Sequence, residues 1–321
     1  MINDQPGATV LVGGGSGLIG SALVSLLTQE GYQVRQLVRR TASSPHEVTW
    51  DPEGGLLPES ALAGVSAVVL LSGAPIADKR WTPSRRRELL RSRTGTTSLV
   101  ARRMADLGGP QRLVTASAVG IYADRGEEVL TETSAPGEGF IAELCQAWEA
   151  SATPAIDAGL SVAHARTGLV LTRQGGALAK LMPLLRMGVA GPMGHGRQWW
   201  PWISLTDEIR ALRHLVSSEV AGPVNLTSPE PLRNAELTRI LARSLNRPAT
   251  IPAPAFALQL ALGGFAAELL ASQRVLPQAL LADGFDFAHP SLASAAGELL
   301  ARPGSGPAER SHVQPPPQDQ Q

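Results

Sequence analysis

Near the start of the chain, Gly14, Gly17 and Gly20 recur every third residue in the run Gly13-Gly14-Gly15-Ser16-Gly17-Leu18-Ile19-Gly20. That spacing suits a phosphate cradle. Gly14 can make a tight turn, Gly17 lets the backbone approach a pyrophosphate, and Gly20 lets a helix pack closely on the preceding strand. A helix opening at Leu18 presents the amides of Leu18 and Ile19, with the positive end of its dipole, to the phosphates. The flanking elements fit. Ala8 to Val12 is a short apolar run that reads as a buried strand. Leu18 to Glu30 carries Ile19, Leu23, Leu26 and Leu27 at helical spacing and stops before Gly31. The expected ligand is a dinucleotide held by Gly14, Gly17, Leu18, Ile19 and Gly20.

The end of the second strand decides which dinucleotide. An acid there accepts from the ribose 2′-OH of NAD, whereas arginines pair with a 2′-phosphate. Gln33 to Val38 alternates as a strand and leads into Arg39-Arg40, with no acid. Arg39 and Arg40 are therefore expected to favour NADP(H) over NAD(H).

Strands and helices keep alternating. Ala67–Leu71, Arg112–Thr115, Leu160–Ala165 and Pro223–Leu226 read as strands. Pro83–Leu107, Phe140–Ala158, Ala177–Arg186 and Asp207–Ser217 read as helices. Buried strands alternating with helices predict an α/β fold, a Rossmann-type doubly wound parallel sheet with a smaller, mostly helical C-terminal part. The expected organisation is a dinucleotide-binding domain over 8–228 and a helical domain over 229–301. The Pro-, Gly- and Gln-rich stretch 302–321 reads as a disordered tail.

The chain has 321 residues, 43% of them apolar, with 28 basic and 28 acidic side chains. A balanced charge gives no bulk attraction to nucleic acid or an anionic membrane. The helix after Pro83 carries Arg85, Arg86, Arg87, Arg91, Arg93, Arg102 and Arg103, read as a solvated face. The single Cys145 excludes an internal disulfide, and mid-helix it reads as buried filler. The histidines show no ligand spacing, so no metal is expected. Met1 to Thr9 is polar and does not read as a signal peptide, and the apolar stretch Ala253–Leu270 is broken by Pro254, two glycines and Glu268. We read it as a helix against a core or over a cleft, in a cytoplasmic protein with a small-molecule substrate. Gly191–Gly196 precedes Trp199-Trp200-Pro201-Trp202, an aromatic wall suited to a substrate pocket lined by His195, Arg197, Gln198 and Trp202. The competing reading is a tight turn anchored by tryptophans.

The glycine spacing resembles that of the extended short-chain dehydrogenase/reductases, which include nucleotide-sugar epimerases. Further motifs resemble one subgroup, the atypical "epimerase family protein" oxidoreductases with a small C-terminal domain of unknown function. They are Pro75–Trp81, Ser117–Tyr122, Arg166–Leu171, Gly191–Gln198, Trp202-Ile203, Asn234 and Gln273–Pro277. The match runs from about Thr9 to Leu300. It implies a Rossmann-type domain, NADP(H) binding, an unassigned substrate and Arg166 near the substrate. Superfamily members also often dimerise through the helices that correspond to Pro83–Leu107 and Phe140–Ala158.

The superfamily's usual acid/base is a tyrosine with a lysine four residues on, whose cation lowers the phenol pKa. This chain has two tyrosines, Tyr32 and Tyr122, followed four residues later by Gln36 and Gly126. By resemblance, Phe140 and Leu144 take the two positions, and neither transfers a proton. The superfamily's catalytic Ser/Thr falls on Ser117 or, one residue on, Ala118. Tyr122 on the following loop either reaches the cleft or packs. Glu149 is expected to face solvent or cap a neighbour. Two readings stay open: an NADP(H)-dependent oxidoreductase or epimerase-like enzyme drawing protons from Ser117, Tyr122 or water, and a non-catalytic NADP(H)-dependent binding or regulatory protein.

Overall fold

The computed structural model describes residues 7–300; the expected tail over 302–321 lies outside them. Seven parallel strands form the central sheet: β1 (Thr9–Gly13), β2 (Gln33–Val38), β3 (Glu47–Thr49), β4 (Val65–Leu70), β5 (Arg112–Ala118), β6 (Ser161–Thr167) and β7 (Gly222–Leu226). Their spatial order is β7-β6-β5-β4-β1-β2-β3. The order reverses between β1 and β4, which makes the crevice outside their carboxyl ends the topological switch point.

Alternation along each strand divides the core. Val10 and Val12 of β1 join Val114, Val224, Leu23 and Leu27 of α1 (Leu18–Gln29), and Ala211, Leu212, Leu215 and Val216, on one face. Leu11, Val68, Leu113 and Val162 pack with Val100, Ala101 and Met104 of α2 (Pro83–Leu107) on the other. Apolar burial on both faces is why these strands read as continuous apolar runs.

Helix α2 has the bounds its sequence predicts. Thr82 caps it by accepting from the Arg85 amide, Pro83 opens it, and Gly108 ends it in the left-handed region at φ 57°. The predicted helix Phe140–Ala158 is two: α3 (Phe140–Ala150) and a short turn of helix, Thr153–Asp157. Pro154 explains the break, because its ring would clash with the carbonyl of Ala150 in a continuous helix. The short edge strand β3 has no sequence signal of its own.

After β7 the chain is mostly helical, over Asn234–Ser244, Ala255–Leu262, Phe265–Leu270, Gln278–Ala282 and Leu292–Leu300. Small strand pairs tie it to the sheet domain: Trp199–Trp200 with Leu232–Arg233, and Val129–Leu130 with Arg274–Val275. The Ala253–Leu270 stretch forms two short helices, and Phe256 and Leu260 on the first are exposed. Among the described residues no helix is long and apolar enough to cross a membrane.

Asp207, in the first turn of α4 (Leu205–Ser217), fastens this C-terminal part. Its amide is capped by Ser204 Oγ at 3.0 Å, while its carboxylate accepts the amides of Ala288 and His289, each at 2.8 Å. Asp207→Ala strands two backbone donors, so it should cost about 3 kcal/mol. Urea unfolding measures that loss, and faster cleavage after residue 280 under limited proteolysis should accompany it.

Candidate functional site

The glycine loop is built as its spacing requires. Gly14 has φ 83°, and a Cβ there would lie 2.8 Å from the Leu71 carbonyl carbon in the segment after β4. A Cβ on Gly20 would stand 2.1 Å from the Gly14 carbonyl oxygen. Side chains at these positions would force β1, α1 and β4 apart. The Gly17 amide closes the turn by donating to Gly14 O at 3.0 Å. No side chain caps α1 and its first turn holds no acid, so the amides there have no side-chain acceptor. Uncapped amides on a positive dipole end at a switch point fit a pyrophosphate.

The two arginines after β2 differ. Arg40 forks onto Glu47, with Nη1 2.8 Å from Oε2 and Nη2 2.5 Å from Oε1, and it also donates to Ser43 Oγ and Thr41 O. That fork and the Ser43 bonds hold the half-buried Glu47 carboxyl down at about 2. Arg39 is exposed and, among the described residues, unpaired. A hollow lined by Thr9, Gln33, Arg35 and His46 lies at the opposite, amino-terminal edge of the sheet, away from the glycine loop.

At the carboxyl ends of β5, β6 and β7, Ser117, Tyr122 and Arg166 come together in one buried network. Arg166 grips Glu149 of α3 with Nε 2.8 Å from Oε1 and Nη2 2.9 Å from Oε2. Ser117 Oγ donates to the same Oε1 at 2.7 Å. Arg166 Nη1 donates to the Tyr122 hydroxyl at 2.9 Å, and that hydroxyl donates to Asn225 Oδ1 at 2.8 Å. Asn225 then donates from Nδ2 to Leu276 O at 3.0 Å, in the C-terminal part. The Tyr122 side chain is fully buried, and burial pushes its phenol above the ordinary value despite the adjacent Arg166 charge. Glu149 was expected at the surface or as a cap. Instead it is the anion of this network, held below the ordinary carboxyl value because the bonds from Arg166 and Ser117 outweigh its burial. Glu149 and Arg166 lie far apart in sequence on different elements, so no spacing rule links them.

The other expected pocket residues separate. His195 and Arg197 are exposed, and His195 Nδ1 accepts the Arg197 amide at 3.0 Å in a tight turn. Gln198 is buried, its Nε2 donating to Met193 O and Leu269 O. Trp202 is buried, its Nε1 donating to Glu230 O at 2.9 Å. The arginine face of α2 is not wholly solvated. Arg85 and Arg93 are buried because backbone carbonyls receive them: Arg85 donates to Pro75 O, and Arg93 to Leu89 O and Ala74 O while stacking on Trp148. Phe140 packs edge-on against Trp81 at 5.4 Å and Leu144 is buried. Cys145 is buried in the same cluster, with its thiol pushed up to about 12 by burial.

The ion pair predicts an acid dependence. Glu149 binds its proton more weakly when folded than the ordinary value of 4.5, so its stabilisation is full at neutral pH. It is lost as the pH falls below about 4.5 towards the folded value. Glu149→Gln leaves the Arg166 cation buried without its anion, at a cost of about 3–5 kcal/mol. Urea midpoints taken from about pH 7 to about pH 3 should show the variant less stable at neutral pH and less acid-sensitive than the wild type.

The sequence and fold have counterparts among known proteins. Residues 253–299 match a domain of unknown function, DUF1731. The epimerase family protein Mb2239 of Mycobacterium bovis is 42% identical over 299 residues, covering 92% of this chain and 99% of that protein. The human epimerase family protein SDR39U1 is 35% identical over 298 residues, covering 91% and 99%. A crystal structure of human SDR39U1 (isoform 2) with NADPH superposes with a TM-score of 0.83 at 33% identity, covering 91% of this chain and 98% of that one. Residues 10–227 match the NAD dependent epimerase/dehydratase family, and the chain belongs to that family.

Proposed function

We propose that this protein binds NADP(H) in preference to NAD(H) and acts as an oxidoreductase or epimerase-like enzyme on a small molecule. The observation that carries this reading is the glycine cradle at the switch point, with Arg39, unpaired among the described residues, just after β2. Gly14, Gly17 and the amides of Leu18 and Ile19 hold the pyrophosphate. Arg39 holds the 2′-phosphate, and Arg40, already forked onto Glu47, orders the loop beside it. The bound dinucleotide supplies or accepts a hydride, and the protein contributes orientation and electrostatics. The NADPH in the human relative's structure supports the cofactor choice.

Ser117 and Tyr122 act in this reading as positioning residues. Their hydroxyls are committed to Glu149, Arg166 and Asn225, and together they fix the ends of β5, β6 and β7 beneath the substrate. His195 and Arg197, exposed on the loop after residue 191, are the polar groups of that region left for a substrate. A second reading, a binding or regulatory protein without chemistry, is favoured by the apolar packing of Phe140 and Leu144.

Nucleotide fluorescence titration tests the cofactor reading. NADPH should bind more tightly than NADH. Arg39→Ala should weaken NADPH about tenfold or more and NADH less than about twofold, as expected for one lost charged hydrogen bond. Arg40→Ala should have the smaller effect. Equal affinity for the two nucleotides overturns the preference, and no binding of either overturns the proposal. Oxidation of NADPH by any member of a panel of carbonyl compounds and nucleotide sugars favours the enzyme over the binding protein.

A further inference from the structure

One carboxylate at the carboxyl edge of the sheet stands outside the Arg166 network. Glu268, on the helix Phe265–Leu270, places Oε2 3.4 Å from the point a Cβ on Gly120 would occupy. Gly120 belongs to the turn directly after β5, and the same point lies 2.5 Å from Ile141 Cγ2 in the first turn of α3. The C-terminal part therefore sets a carboxylate over the β5–α3 corner, where the glycine leaves room for it. Among the described residues Glu268 has neither a hydrogen bond nor an ion pair.

The groups around it leave it uncompensated. Cys145 on α3 feels the Glu268 charge, and its thiol stays protonated. Arg93, whose charge also acts on Cys145, donates to Leu89 O and Ala74 O. With burial unopposed, the Glu268 carboxyl is pushed up to about 7. A group poised near neutrality is suited to both giving and taking a proton. A dinucleotide with its 2′-phosphate at Arg39 and its pyrophosphate at α1 carries its nicotinamide half across the switch point, towards β4 and β5.

We propose that Glu268, set over Gly120 at the β5–α3 corner, is the proton-exchanging group of this site, where Phe140 and Leu144 of α3 can transfer no proton. The inference rests on the reading of the chain as an NADP(H)-dependent enzyme. In reduction, a carbonyl carbon gains the hydride of the reduced dinucleotide while its oxygen gains the Glu268 proton. Carbonyl, reduced dinucleotide and carboxylic acid become alcohol, oxidised dinucleotide and carboxylate. The reverse direction returns the proton to Glu268.

The test needs no substrate. The oxidised nicotinamide ring is cationic and the reduced ring is neutral, so NADP+ should drive the proton off a nearby carboxyl and NADPH should not. Calorimetric titrations at pH 7 in buffers of different ionisation heat count the protons released. Wild type should release up to about half a proton more with NADP+ than with NADPH, the fraction bound at that pH to a group with a pKa of about 7. Protonation of the 2′-phosphate is common to both nucleotides and cancels. Glu268→Gln should abolish the difference. Equal release by the two nucleotides in the wild type, or a difference that survives in Glu268→Gln, overturns the proposal while leaving the cofactor reading intact. No binding of either nucleotide overturns both. If the variant fails to fold, carbon-13 NMR of the glutamate carboxyls in the wild type decides: one resonance titrating near pH 7 should move to lower pH with NADP+ and stay with NADPH, and a resonance indifferent to both overturns the proposal. Among the described residues Glu208 is the other strongly raised carboxyl, pushed up to about 8 within α4 by burial, and Glu208→Gln identifies its resonance.

Discussion

A guanidinium removed from water needs acceptors for its donors, Arg166 at the end of β6 finds a carboxylate among them, and its placement sets the conditions for the groups around it. Glu149 supplies the anion and so fixes the rotation of α3 against the sheet. Ser117 completes the carboxylate's shell from β5, and Tyr122 and Asn225 carry the network on to β7 and the Leu276 carbonyl. One cation thereby sets the mutual positions of three strand ends, one helix and the segment that leads into the helix Gln278–Ala282. Groups bonded so completely have little freedom to exchange protons with a ligand.

The C-terminal part repeats the principle with backbone groups. Asp207 receives two of its amides, and Gln198 donates to two carbonyls on either side of the loop before the tryptophans. Each attachment satisfies a buried polar atom that would otherwise be a liability. Their combined effect is to hold the helix carrying Glu268 at a defined place over Gly120. A carboxylate with no partner of its own is positioned by its neighbours' satisfied ones.

Much of this was legible in the sequence where the signal is local. The glycine spacing, the apolar strands, the caps of α2 and the arginines after β2 all depend on residues close together in the chain, and the structure has the corresponding elements. What escaped reading depends on partners from distant segments. The resemblance put Arg166 near the substrate, and no local spacing announces its ion pair with Glu149, seventeen residues away on α3. Arg85 and Arg93 looked solvated because the carbonyls that receive them belong partly to the loop after β4. Glu268 was visible only as an interruption of an apolar stretch, since its meaning comes from Gly120 on another element. The break after α3 was readable from Pro154, and the apolar periodicity obscured it.

The small parallel pairing of Val129–Leu130 with Arg274–Val275 joins segments separated by most of the sheet domain. Such contacts have high order, and their loop-closure entropy must be met before they return any stabilisation. During synthesis the glycine cradle and the first six strands can form well before Arg274 leaves the ribosome. On the proposed reading, affinity for a dinucleotide would then precede the arrival of the carboxylate over Gly120, and a nascent chain would pass through a stage at which it could hold the nucleotide before the C-terminal part closes over it.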